Sequence, residues 1–358
     1  MSPEITVPLI GGAQELTAFW IENVLHGAGY RDAKLAGFEA RPIGAGNVSD
    51  TVRVALTYRS TTEAPASIVC KFRCSDAQAH AHGVGSGSYG REVNSYRALS
   101  AAGCACSIPR LFWVDGHTEN VNLVMEDLSV GTRAGDQVTG CSVDDARSVI
   151  AELAKLHRTF FPMAQRDAPD WAMTMAATAD YWTQAILKGL PVVQETAASR
   201  LGAAGMAIVE KAAEAAPAWY RLPVERGTLT HGDPRVDNII FRDGSGGPQA
   251  VIIDWQMTGW RSPMHDIGYF LSGSVSVEDR RSAEGDLLDM YAAIVGEAYP
   301  RSLIEADYRL QLPSGLMTTL AAYGVLPMTP QVDALLMALL RRNIAAVADW
   351  RSLEALIP

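Results

Sequence analysis

LTHGDPRVDNIIF at 229–241 and VIIDWQ at 251–256 are the most informative stretches of this 358-residue sequence. Both set carboxylates beside short apolar, strand-like runs. Asp233 precedes Asn238 by five positions, and Asp254 follows Asn238 by sixteen. Moving a phosphoryl group asks a protein for little covalent chemistry. It needs a carboxylate to orient the acceptor hydroxyl and take its proton, oxygen ligands for magnesium on the phosphates, a cation against those phosphates, and a backbone cover. Asp233 is the candidate for the first task. Asn238 and Asp254 are candidates for the second, because hard Mg²⁺ selects carboxylate, amide and water oxygens. Asp and Asn are also ordinary turn residues, but the combined spacing weighs against a plain polar turn.

The remaining requirements lie upstream. IGAGNVSDTVRVAL at 43–56 puts Gly44 and Gly46 at a strand turn, with Asn47 and Ser49 beside them. Glycine there lets backbone approach a phosphate closely. GAGNVS lacks a third glycine and opens onto no helix pattern, so it does not fit a dinucleotide fingerprint. Lys71, in the strand SIVCKF, is the only lysine between residues 35 and 154 and sits where a phosphate-binding cation is expected. Glu92, on the segment that follows, is placed to pair with it; a plain surface ion pair is the alternative. Glu126 and Leu128 end the apolar strand NVNLVMEDLS.

Between about 38 and 74, FEARPIG, TVRVALTY and ASIVCKF read as strands, and IPRLFWVDG and NVNLVMEDLS as two more. SDAQAHAHGVGSGSYG, rich in Gly, Ser and His, reads as a mobile loop over 75–90. REVNSYRALSAAG reads as a short helix closed by Gly103. Beyond residue 140 the texture turns helical. Ser142 and Asp145 suggest a capping box, and Ala146, Val149, Ile150, Leu153, Leu156, His157 and Phe160 share one helix face. Further helices are expected near 178–190, 195–215, 278–296, 303–312, 314–325 and 331–350, interrupted by strands around NIIF and AVIID. The fold class is therefore α+β: an N-terminal lobe at 1–128 built on an antiparallel sheet, and a mainly helical C-terminal lobe at 129–358. Such an arrangement implies a ligand-binding cleft between lobes.

Composition removes other classes. The net charge of −10 argues against a nucleic-acid partner, which wants a clustered basic face. No apolar run approaches the length of a membrane span, and the N-terminus lacks the pattern of a signal peptide. Cys70, Cys74, Cys104, Cys106 and Cys141 match neither a zinc spacing nor a disulfide framework. Reduced thiols in a cytoplasmic protein are the expectation. Cys74, His80 and His82 superficially suggest a metal site, but a Gly/Ser-rich loop is a poor place to preorganise one.

The order is glycine turn, strand lysine, helix glutamate, strand ending in MEDL, Asp–x4–Asn loop and strand-end Asp. It resembles the aminoglycoside phosphotransferase and choline kinase superfamily, which has the two-lobed protein-kinase-like fold. REVNSYRAL, the ELAKLH helix, HGDPRVDN and VIIDWQMTGWRSPMHDIGYFL look like landmarks of its ecdysteroid-kinase-like branch. The resemblance spans roughly residues 40–275 and implies ATP and Mg²⁺ as cofactors and a small hydroxyl-bearing acceptor. By it, Asp233 is the catalytic base or hydroxyl-orienting group, Asn238 and Asp254 are magnesium ligands, Lys71 binds the α/β-phosphates with Glu92 as its partner, and the backbone around Val124 to Leu128, with Glu126 between, meets adenine. The missing DFG triplet and APE segment argue against a protein kinase with an activation loop. Two glycines and Asn47 stand where protein kinases use three glycines.

Other residues carry two readings each. His231 reads as a hydrogen bonder shaping the loop, and His157 as a packed core histidine. Asp266 either accepts backbone N–H groups of the catalytic loop or is an ordinary N-cap. Arg235 and Asp237 face substrate or solvent, and Gln256 serves the metal site or a strand end. Trp171, Met173, Met175, Tyr181 and Trp182 line an acceptor pocket or fill a core. The resemblance implies a bulky alcohol, steroid-like, aminoglycoside or amino-alcohol acceptor, with its ecdysteroid-kinase-like landmarks tilting toward a bulky, rather apolar one. The alternative function is a non-catalytic nucleotide-binding sensor or scaffold. Oligomeric state and a preference for ATP over GTP are not written in the sequence.

Overall fold

The structure is a computed structural model that describes residues 7–44 and 48–356. Gly46 and Asn47 of the expected phosphate turn lie outside the described residues. The chain packs as two units. The first comprises Met1–Gly103, Ile108–Gly131 and Asp254–Met257, and the second Cys104–Ser107, Thr132–Ile253 and Thr258–Pro358.

In the first unit, helix α1 (Ala18–Gly27) precedes strands β1 (Leu35–Pro42), β2 (Ser49–Tyr58) and β3 (Ser67–Arg73). Helices α2 (Ala77–Gly85) and α3 (Ser88–Ala101) follow, then β4 (Leu111–His117) and β5 (Asn120–Glu126). The strands form one sheet in the order β1-β2-β3-β5-β4, antiparallel throughout. Side chains alternate across a strand, so Ile68, Cys70 and Phe72 of β3 share a core with Trp20, Ile21, Val24 and Leu25 of α1. Lys71 is thereby turned to the opposite face, where it meets α3. Burial of each large apolar side chain in that core contributes about 1.5–3 kcal/mol.

Two expectations are corrected here. The stretch read as a mobile loop over 75–90 is largely helix α2, because the Asp76 side chain caps it by accepting the Ala79 N–H at 2.8 Å. Its glycines and histidines obscured an alanine-supported turn. Helix α3 also starts three residues before REVNSYR, just after Gly87 at φ +69°. Gly103, at φ +59°, does close it.

The second unit opens with β6 (Thr132–Ala134) and α4 (Val143–Phe160), whose capping box between Ser142 and Asp145 is formed as expected. Then come β7 (Met173–Thr174), α5 (Met175–Thr196), α6 (Ala198–Trp219), β8 (Thr228–Thr230), β9 (Ile239–Gly244), β10 (Gly247–Ile252) and β11 (Gly259–Arg261). Helices α7 (Met264–Ser274), α8 (Val277–Val295), α9 (Arg301–Gln311), α10 (Ser314–Val325) and α11 (Pro330–Asp349) complete it. Two small sheets, β10-β9-β6 and β7-β11-β8, carry the loops of interest. The main helical core joins α5, α6, α10 and α11. Helices α5 and α10 cross so closely that a Cβ on Gly189 would lie 2.0 Å from Leu320 O, so only glycine fits. The α+β class, with an antiparallel-sheet N-terminal part and a helical C-terminal part, is as read from the sequence. Among the described residues no helix is long and apolar enough to cross a membrane.

Candidate active site

In the first unit the expected partners meet. Lys71 Nζ donates to Glu92 Oε1 at 2.7 Å and to Asp254 Oδ1 at 3.0 Å. Lys71 and Glu92 are buried, whereas the Asp254 side chain is 32% exposed. Two carboxylates share one ammonium, so they outnumber it by one negative charge only when Glu92 is ionised. Burial opposes the Lys71 charge, but Asp254 and Glu92 outweigh it and hold the ammonium protonated well above its ordinary range. Burial pushes the Glu92 carboxyl up to about 7, with Lys71 pulling the other way. Asp254 is held at φ +66°, one of two non-glycine residues at positive φ among the described residues. Asp tolerates this left-handed backbone better than most side chains, though at a cost of order 1 kcal/mol or more. Gln256 Nε2 donates to Asp254 Oδ1.

The Asp254–Met257 segment is fastened to α3 by residues that sequence reasoning missed. Arg91, buried, donates from Nη1 to Gln256 O and from Nη2 to Ser86 O, both at 2.6 Å. Ser95 Oγ reaches Trp255 O at 3.5 Å, and the Tyr96 and Trp255 rings lie 6.3 Å apart. Arg91 with Ser95, and Glu92 with Tyr96, are i, i+4 pairs, so one side of α3 carries all four. A polar run at that spacing beside Glu92 was the available signal.

The other expected nucleotide contacts lie along the same sheet. Ser49 begins β2 opposite Arg73 and is buried, and exposed Gly44 has φ +73°. Glu126, half-buried at the end of β5, accepts the Arg110 N–H through Oε1 at 2.8 Å. Leu128 is half-buried just beyond. Between them Asp127 ties this segment back to the sheet through Ser67 and Arg53. Burial opposes its charge, but the hydrogen bonds from Ser67 and Ser129 bring its carboxyl down to about 2.

In the second unit β8 runs into the loop His231–Asn238. Asp266, fully buried on α7, accepts the His231 N–H at 2.7 Å and the Gly232 N–H at 2.9 Å. Of its two readings, the loop-holding one is the one found. His157 is buried as expected, but it is more than packing. Its Nε2 lies 3.1 Å from Asp266 Oδ2, and its Nδ1 lies 2.9 Å from Tyr291 Oη. Burial opposes the Asp266 charge, yet the hydrogen bond with His157 and the nearby His265 ring hold its carboxyl far below the usual carboxylate range. His231 shapes the loop: its ring contacts Ile253 O at 3.0 Å, and its Nδ1 accepts the Asp233 N–H at 3.3 Å. Gly232, at φ +86°, makes the turn.

Asp233 and Asn238 are brought together. Asn238 Nδ2 donates to Asp233 O at 2.9 Å and to Asp233 Oδ2 at 3.2 Å. Tyr269 Oη donates to Asp233 Oδ1 at 2.8 Å, and Arg235 Nε lies 3.5 Å from Oδ2. Asp237 is exposed, but it accepts the Gln137 N–H at 2.8 Å. Gln137, buried and also missed from the sequence, accepts the Val236 N–H at 2.8 Å. A Cβ on Gly135 would sit 2.0 Å from Val236 O, so the loop needs glycine beside it.

Cys74 and His80 make hydrogen bonds with Asp50 and Tyr89, and the described residues hold no cluster of three His, Cys, Asp or Glu able to bind a metal. All five cysteines are free thiols. Met175 lies in the helical core with Trp182 packed on it, while Tyr181 is exposed.

A buried lysine shared by two carboxylates and an Asp–x4–Asn loop held from beneath are the parts of a phosphoryl-transfer protein. A model of the phosphotransferase enzyme family, APH, matches residues 39–303. The chain belongs to this family. Solved structures agree on the fold of this phosphotransferase. A microcompartment-associated aminopropanol kinase is 14% identical, with 94% of this chain and 98% of that one covered and a TM-score of 0.53. A choline kinase from Cryptosporidium parvum Iowa II is 11% identical over 90% and 92% of the two chains, with a TM-score of 0.51. The GDP complex of wild-type aminoglycoside 2'-phosphotransferase-IIIa is 12% identical over 92% and 99%, with a TM-score of 0.53. No curated protein sequence matches the phosphotransferase.

Proposed function

We propose that this phosphotransferase is an ATP- and Mg²⁺-dependent small-molecule kinase, moving the γ-phosphate of ATP to a hydroxyl group. The observation that carries the reading is Lys71, buried yet charged, held at 2.7 Å by Glu92 and at 3.0 Å by the part-exposed Asp254. A cation so anchored is preorganised for phosphate oxygens, and its fixed charge costs no reorganisation during transfer. Asp233 orients the acceptor hydroxyl and takes its proton, with its carboxylate steadied by neighbouring donors. The proposed magnesium ligands are the Asp254 carboxylate and Asn238 Oδ1, since the Asn238 NH₂ is spent on Asp233. One carboxylate and one amide suit an ion that keeps several waters and is also held by phosphates. Bound Mg²⁺ supplies neutralisation of phosphate charge. Gly44, Gly46, Asn47 and Ser49 are the proposed phosphate cover, and the backbone from Val124 to Leu128 the adenine contact. The acceptor class follows the family and the neighbours' names: an amino alcohol, an aminoglycoside or, on the ecdysteroid-kinase-like landmarks, a bulkier alcohol.

The test is thermal unfolding with and without ATP and excess magnesium, alongside Asp254→Ala, followed by an acceptor screen across those three classes. A ligand at a hundred times its Kd adds about 2.7 kcal/mol. A magnesium-dependent rise in Tm, lost in Asp254→Ala together with turnover, is expected. Turnover retained by Asp254→Ala would remove that residue from the metal site. Nucleotide binding without turnover on any alcohol would favour a sensor or scaffold instead.

A further inference from the structure

Helix α7 carries two residues that address the catalytic loop from one helix face. Asp266 holds the backbone of His231 and Gly232, and Tyr269, three residues on, reaches the next residue, Asp233, at its side chain. Residues at i and i+3 lie on one side of a helix, so three consecutive loop residues are addressed by a single rigid element. We infer that Tyr269 is a positioning residue for phosphoryl transfer. Its hydroxyl donates to Asp233 Oδ1 at 2.8 Å and fixes the rotation of the carboxylate that receives the acceptor hydroxyl. The inference rests on the reading of Asp233 as the acceptor-orienting carboxylate.

The geometry supports a one-way hydrogen bond. Burial, and then the neighbouring Asp233 charge, push the Tyr269 phenol well above its ordinary range, so it stays protonated and donates. The ring is nearly buried and stacks with His265 at a centroid distance of 6.5 Å, which leaves the hydroxyl little freedom. At the opposite oxygen, Asn238 Nδ2 donates at 3.2 Å and Arg235 Nε lies at 3.5 Å. The carboxylate plane is therefore pinned at both ends. Each oxygen has two lone pairs, so an acceptor hydroxyl can still be received without displacing Tyr269. Without the phenol, the carboxylate keeps, among the described residues, contacts at Oδ2 alone and can swing about its terminal torsion, which is broad and roughly two-fold in Asp. Loss of alignment of this kind is read in kcat rather than in nucleotide binding.

The experiment compares Tyr269→Phe, Asp233→Asn and the native protein in Mg·ATP turnover with water as acceptor, together with the KM for ATP and the Tm. Asp233→Asn is expected to remove turnover. Tyr269→Phe is expected to lower kcat by about 10- to 100-fold, the size of one hydrogen bond to a charged group, with KM for ATP within about three-fold. 4-Aminophenylalanine at 269 keeps the ring and restores a donor, so it should recover most of kcat. 4-Methylphenylalanine, of similar shape but without a donor, should not. If Tyr269→Phe fails to fold, these two isosteres decide the matter. Native kcat in Tyr269→Phe, or equal kcat in the two isosteres, with Asp233→Asn inactive, overturns the role of Tyr269 alone. Turnover indifferent to Asp233→Asn overturns the underlying reading of Asp233, and native turnover absent on water and on every acceptor of the three classes overturns the kinase reading itself.

Discussion

The Lys71–Glu92–Asp254 cluster, centred on an ammonium, and the Asp266–His157–Tyr291 network, centred on a carboxylate, are both buried polar groups, and they are built on opposite terms. Asp266 is fully enclosed and surrounded by donors: two backbone N–H groups and His157. Glu92 is just as enclosed but belongs to a set with one carboxylate too many, and Asp254 at its edge is open to solvent. A satisfied buried charge serves stability and fixes geometry. An excess buried charge detracts from stability unless a ligand completes it, and functional sites are where such imbalance is kept. The contrast fits Asp266 as scaffold and the Lys71 cluster as the proposed working site.

The largest effect should come from breaking the scaffold. Asp266→Ala leaves two buried N–H groups and His157 without their acceptor, and should cost about 3–5 kcal/mol in urea unfolding. A loss below about 1 kcal/mol would mean that water replaces the carboxylate and that α7 does not hold the loop. Glu92→Gln should behave in the opposite way. It keeps the shape of the side chain and should lower kcat/KM for ATP about 10- to 100-fold, while urea stability at neutral pH should not fall, because the amide removes a buried charge.

The pH dependence sharpens the same contrast. The Glu92 pKa is about 7 in the fold against an ordinary 4.5. A raised folded value favours the folded state at low pH. Stability from this group is therefore fully present below the ordinary value and is lost as pH rises through about 7. Glu92→Gln should remove that part of the slope in urea titrations between those limits. Asp266, depressed in the fold, has the reverse sign: its contribution is present above the ordinary carboxylate value and is lost only on acidification below it. The smallest effect is expected for Arg91→Lys. An ammonium cannot span both Gln256 O and Ser86 O as the guanidinium fork does, so kcat should fall a few-fold, roughly the worth of one neutral hydrogen bond. Unchanged kinetics would mean that Trp255 packing alone holds the Asp254 segment.

Much of the fold was legible because local rules agreed with it. The five strands of the first sheet, the glycine stop at 103 and the amphipathic, box-capped α4 all followed from periodicity and turn chemistry. Helix α7 escaped notice for a physical reason: every residue from Met264 to Ser274 is buried, so no polar face marks the turn of the helix. Helix α2 escaped because its composition resembled a loop, although Asp76 was in place to cap it. At the candidate site, the residues proposed for the chemistry were visible as motifs. Those that hold them, Arg91, Gln137 and Tyr269, were not, because each acts on a residue at least 36 positions away in sequence.

The sequence by itself determined the residue types needed for phosphoryl transfer, their order along the chain and the sheet-then-helix division. Spacing and pattern are local properties, and chemistry depends on which side chains are available. Only the tertiary structure decided that Asp254 joins Lys71 and Glu92, that Asp266 faces the loop rather than merely opening a helix, and that Tyr269 reaches Asp233. Those contacts depend on how helices α3 and α7 dock, which is set by packing summed over many residues and has no signature at any one of them.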